Sequence, residues 1–244
     1  MAEKKITSTT TKTVPNDTPE TVRANNLWDQ YSRPIIIVSS IIILAAAAWY
    51  AYKEFIKKPN ERKANEMIFV AEGIFDKMAS TTGFTKDSSI IVLNGSKELG
   101  ITGVLKVNKE YGNTKAGNRA AFIAGATYLH LKEFDKAIKL LKDFDGNGAH
   151  QAQSKAYVML GHAYAEQNKT GEALDYYEKA ASVNKKDDGT TGDALFLAAS
   201  YADAMGKKEK AVDLYKRLKT DYPAYATVKS GDVDKYLARL GILK

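Results

Sequence analysis

Apolar positions along this chain change their pattern three times. Residues 1–33 hold almost no large apolar side chain before Leu27, and Pro15 and Pro19 interrupt them, which predicts a disordered polar tail. From Ile35 to Tyr52 the pattern becomes continuous, with eighteen uncharged residues broken only by Ser39 and Ser40 and bounded by Arg33 and Lys53. Such a run has no polar side to show to water. As a helix it would be roughly 27 Å long, against roughly 30 Å for a hydrocarbon core. The pattern therefore predicts a transmembrane helix over 34–52, with Trp49, Tyr50 and Tyr52 where an aromatic belt would sit. Ala46-Ala47-Ala48 would satisfy a signal-peptide cleavage site, but the apolar run is long and a 34-residue leader in front of it would be unusual.

Beyond Pro59 the period becomes helical. Met67, Ala71, Ile74, Phe75 and Met78 share one face, and Thr81-Thr82-Gly83 stops that helix. A second helix is expected from about Leu99 to Tyr111, with the stretch from Thr85 to Ser96 as an inserted loop. Residues 53–117 then read as a juxtamembrane helix and a degenerate first repeat. The repeat itself is clearest from Ser154 to Ala180, as Gly161-x2-Tyr164-x8-Ala173-x3-Tyr177-x2-Ala180. The same spacing holds in Gly125-x2-Tyr128-x8-Ala137-x3-Leu141 and in Ala199-x2-Ala202-x8-Ala211-x3-Tyr215, followed by Pro223. Small residues sit where two antiparallel helices approach closely, aromatic ones fill the space beside them, and Asn168-Lys169-Thr170-Gly171 makes the turn. One such pair cannot bury its own apolar face, so neighbours are required.

This pattern resembles the tetratricopeptide repeat, a helix-turn-helix unit of about 34 residues. The resemblance implies an all-α fold: an N-terminal transmembrane helix followed by a helical solenoid of three repeats over 118–223. Residues 224–244 close it as a C-terminal capping helix carrying Val233, Tyr236, Leu237 and Leu240.

Composition removes several function classes. The chain has no Cys, and His130, His150 and His162 lack ligand-spaced partners, so neither a metal nor any other cofactor is expected. A net charge of +7 is spread over 36 basic and 29 acidic residues with no basic stripe, which argues against nucleic acid as a partner. No Gly-rich phosphate loop follows a strand, and Asp187-Asp188-Gly189 reads as turn chemistry, so the chain is not expected to be an enzyme.

The first helix of each repeat should line a concave wall, at Phe122, Val158 and Phe196, with Ala126, His162 and Ser200 one turn on. An apolar stripe of this kind suits an extended or helical hydrophobic segment of a partner, or it is intra-repeat packing. Tetratricopeptide proteins that grip an acidic terminus use a Lys and Asn clamp here. This chain offers only Arg119 and Lys155 near the groove, without the Asn residues.

The polar tail, single membrane helix and short repeat stack together resemble the YfgM-like ancillary subunits of the bacterial Sec translocon. The run from Glu110 to Asn118, leading into Ala124-Gly125 and Tyr128, is similar to anchored members in Bacteroidetes-type bacteria. The resemblance implies an inner-membrane protein whose repeats lie in the periplasm beside a PpiD-type chaperone and receive unfolded exported proteins. The flanking charges count the other way. Arg23 and Arg33 precede the helix while Lys53, Lys57, Lys58, Arg62 and Lys63 follow it, which alone would leave the repeats in the cytoplasm. A membrane-tethered structural adaptor for another complex is the alternative function.

Overall fold

The computed structural model describes residues 19–242, and the chain divides into two units, one ending at Ile56 and one beginning at Lys57. Most of the expected polar tail, residues 1–18, lies outside the described residues. The first unit is a helix, α1 (Pro19–Tyr52), followed by a π-helical turn from Lys53. The helix begins at Pro19 rather than at 34, so residues 19–33, expected as part of the tail, are helical. A proline supports a first helical turn, where its missing N–H has no partner to lose. The second proline, Pro34, is carried inside the helix. From Ile35 to Tyr52 every side chain is exposed, and Ser40 returns its hydroxyl to the Ile36 carbonyl at 2.7 Å. The helix is long and apolar enough to cross a membrane.

Among the described residues, the regular elements of the second unit are helices apart from one hairpin of two-residue strands. It opens with α2 (Lys58–Lys77), a π turn (Met78–Thr82) and α3 (Lys86–Asn94), then β1 (Gly95–Ser96) pairs antiparallel with β2 (Ile101–Thr102), and α4 (Val104–Tyr111) follows. Two expectations are corrected here. The stretch read as an inserted loop is mostly α3, and the helix expected from Leu99 begins at Val104 after the hairpin. Ile90, Ile91 and Val92 are β-branched and poor helix formers, which hides α3 from propensity. Its helix is secured by Thr85, whose side chain accepts from Ser88 N, and by burial of Val92 and Leu93.

Three helix pairs follow: α5 (Lys115–His130) with α6 (Phe134–Asp143), α7 (His150–Glu166) with α8 (Thr170–Ser182), and α9 (Asp188–Ala204) with α10 (Lys208–Asp221). Their turns share one hydrogen-bond register. Glu133 N donates to Tyr128 O, Lys169 N to Tyr164 O and Lys207 N to Ala202 O, at 2.9, 2.9 and 2.8 Å. Each pattern places the preceding residue, Lys132, Asn168 or Gly206, in the left-handed region at φ 61°, 59° and 69°. Ala137, Ala173 and Ala211 are fully buried where paired helices meet. At Gly161 a Cβ would lie 2.3 Å from Tyr177 Cε1, so the absence of a side chain is what lets that ring in. Gly125 makes the corresponding approach to Leu141.

One hydrophobic core runs from Ala64 to Leu240, through Tyr128, Tyr164, Ala199 and Tyr215. It ends under α11 (Ala226–Lys229) and α12 (Asp232–Arg239). Val233, Leu237 and Leu240 are buried there, while Tyr236 stacks on Tyr215 at 5.2 Å.

Candidate partner-binding groove

The first helices of successive pairs line a groove of about 850 Å³ on the second unit. Phe75 of α2, with Met78, Phe84 and the stretch between them, forms one end; Phe122, Ala126 and His130 come from α5, Lys155, Val158, Met159 and His162 from α7, and Thr190, Asp193, Ala194 and Leu197 from α9. A second hollow opens beside it and shares Phe122, Gln151 and Lys155.

Aromatic contacts hold the wall in shape. Phe122 tilts against Phe144 with centroids 5.0 Å apart, Phe75 meets Phe84 edge to face at 5.7 Å, and His130 stacks on Phe84 at 3.6 Å. His162 Nδ1 lies 2.9 Å from the Tyr177 hydroxyl. Burial lowers the pKa of both imidazoles, offset at His162 by the charge of Glu166. They are neutral at pH 7, and the charged side chains left on the groove wall are Lys155 and Asp193. Asp193 accepts from the Tyr225 hydroxyl at 2.7 Å; burial, and then this bond and the carboxylate charge, raise the pKa of that phenol. Lys155 is exposed and makes no side-chain bond among the described residues.

The sequence-expected groove residues do not all meet. Phe122, Val158, His162 and Lys155 line the same groove. Phe196 does not: it packs edge to face against Tyr215 and Tyr236, beneath the terminal helix. Arg119 turns toward α2, where it pairs with Glu72 at 2.9 Å and donates to Asn65 Oδ1 at 3.0 Å. Met159 and Leu197 line the groove in addition, each one residue beyond Val158 and Phe196 and therefore on a neighbouring line of the helix. Phe84 and His130 were also missed. Phe84 stands in an irregular connection, and only its stacking partner identifies it.

The arrangement has the chemistry of a binding surface. Among the described residues no group of three His, Asp or Glu converges as a metal would need. Repetition of helix pairs with one turn geometry and one packing register defines a helical repeat protein. Residues 154–187 and 193–225 each match a family model of the tetratricopeptide repeat, so the chain contains tetratricopeptide repeats. No curated protein matches the chain. Tetratricopeptide repeats act in protein–protein interaction, and here they accompany a helix able to anchor the chain in a membrane.

Proposed function

We propose that this protein is a membrane-anchored, non-enzymatic subunit whose groove takes up apolar segments of other polypeptides. The observation that carries this reading is the continuity of Phe75, Phe122, Val158, Met159 and Leu197 along one concave wall, with two neutral imidazoles and a single unpaired cation. An unfolded apolar segment buries area there against side chains that are mostly uncharged, with Lys155 left at the solvent edge, and the open wall suits weak, exchanging contacts. The resemblance to YfgM-like ancillary subunits supports placing these contacts in the periplasm at the Sec translocon, with a PpiD-type chaperone as neighbour and exported proteins as clients. Support for burial of that groove by a partner, rather than by the protein itself, comes from α12, which covers Phe196 and stops short of the wall formed by α5 and α7.

The test is site-specific photo-crosslinking in native membranes, with the probe at Val158 and, as a control, at exposed Glu172 on α8. Many nascent exported chains and translocon subunits should crosslink from Val158 and few from Glu172. Met159→Asp with Leu197→Asp should remove the client crosslinks while the helical circular dichroism is retained. A single stoichiometric partner, unaffected by the double variant, would instead identify a structural adaptor.

A further inference from the structure

Five cations stand within eleven residues directly after the apolar helix: Lys53, Lys57, Lys58, Arg62 and Lys63, against the carboxylates Glu54 and Glu61. Glu61 does not neutralise them. Its Oε2 accepts from Lys115 N at 2.7 Å and its Oε1 from Ala116 N at 3.0 Å, so its charge faces the first turn of α5. The positive end of that helix is its partner. Arg62 pairs with Glu66 at 3.2 Å. Lys57 and Lys63 are exposed and make no side-chain bond among the described residues. An isolated lysine on a surface helix has a solvent role, but a run of four to eight cations beside a membrane span adds attraction to each anionic lipid it meets. Chain length sets the range. Lys57 is five residues from Tyr52, which even fully extended is no more than about 18 Å.

We infer that Lys57–Lys63 is a binding surface for the headgroups of anionic membrane lipids, seated on the leaflet that α1 leaves. The inference rests on α1 being a membrane anchor. The occupant follows from charge complementarity and from chain continuity: an anionic surface is at hand wherever the apolar helix is inserted, whereas an acidic protein would have to be recruited. By sequestering Glu61, the N-terminus of α5 leaves the segment more basic than its composition suggests.

The experiment uses the full-length chain in lipid nanodiscs. Because the chain has no Cys, Asn60→Cys gives a single labelling site for a fluorescent donor. Energy transfer is compared for a trace acceptor on phosphatidylglycerol and on phosphatidylcholine, in discs containing both lipids. At low salt, transfer to phosphatidylglycerol should exceed transfer to phosphatidylcholine at least about twofold, and the excess should vanish near 1 M salt, where the screening length falls to about 3 Å. Lys57→Gln, Lys58→Gln and Lys63→Gln combined should abolish it with the helical circular dichroism retained. Equal transfer to both lipids, an excess that survives the triple variant, or retention of an acidic protein by these lysines in its place would overturn the inference. A chain that fails to enter the discs at all would overturn the anchor together with it, whereas insertion without lipid preference removes only the lipid site.

Discussion

The Tyr177 hydroxyl and His162 Nδ1 lie 2.9 Å apart, although they belong to opposite helices of the middle repeat. The equivalent residues of the third repeat, Tyr215 and Ser200, are joined in the same way at 3.1 Å. In the first repeat the pair is Leu141 and Ala126, and neither has a polar atom to satisfy. A phenol on the second helix therefore occurs with a partner on the first, and its loss on one side is matched on the other. The physical reason is that Tyr177 and Tyr215 are almost completely buried, and a hydroxyl in that position without a partner is costly.

The two residues should be coupled, so that removing one costs less once the other is gone. His162→Ala is expected to destabilise the protein by about 1–3 kcal/mol, and the same change in a Tyr177→Phe background by distinctly less. Urea denaturation of the four proteins of this cycle measures the difference. Equal costs in the two backgrounds would show that the bond contributes nothing.

Two glycines in helices should respond to alanine with opposite sign. At Gly73, exposed on α2, nothing lies within 4 Å of an added Cβ, so Gly73→Ala should stabilise by about 0.5–1 kcal/mol through helix propensity. At Gly161 the added atom falls 2.3 Å from a ring that is 1% exposed, and overpacking of about 1–3 kcal/mol outweighs the same propensity gain. Thermal melts of the two variants check the signs.

Much of this architecture was legible because the repeats restate themselves. The Gly161, Tyr164, Ala173 and Tyr177 spacing reports close packing, and its recurrence at Gly125 and Ala211 reports a stack. What escaped was set by contacts distant in sequence. Phe196 has the register of a groove residue, but Tyr236 of the terminal helix lies against it, an interaction invisible from within the repeat. Arg119 has the same register as Lys155 and is claimed by Glu72, 47 positions away. In α3 the propensity signal was weak and the cap at Thr85 carried the helix start. The extension of α1 to Pro19 was masked because its residues carry no apolar periodicity and because Pro19, which sits at the helix start, reads in the sequence as a helix breaker.

Lys132 occupies the left-handed turn position that holds Asn168 and Gly206 in the following repeats. A lysine pays about 1–2 kcal/mol in that region, where asparagine is better tolerated. Lys132→Asn should therefore raise stability by about 1 kcal/mol, visible as a higher urea midpoint at unchanged slope. A lower midpoint would mean that the lysine stem makes a contact worth more than the backbone strain.

Acid should weaken this fold through the groove before it titrates the surface carboxylates. His130 and His162 both have pKa values below the ordinary 6.5, because burial disfavours their charged forms. Between that value and the folded one, the unfolded chain binds more protons than the folded chain, so stability rises with pH. Their contribution is present in full above about pH 6.5 and is lost as pH falls through 6.5 toward the folded values. Once protonated, His162 Nδ1 can only donate, so the Tyr177 hydroxyl oxygen becomes the acceptor of that bond. Stability measured by urea denaturation from pH 8 to pH 5 should decline below about pH 6.5, and imidazole titrations followed by NMR should show both rings protonating later than a free histidine. His130→Phe combined with His162→Gln should flatten the decline. A profile unchanged by that double substitution would assign the acid sensitivity to other groups.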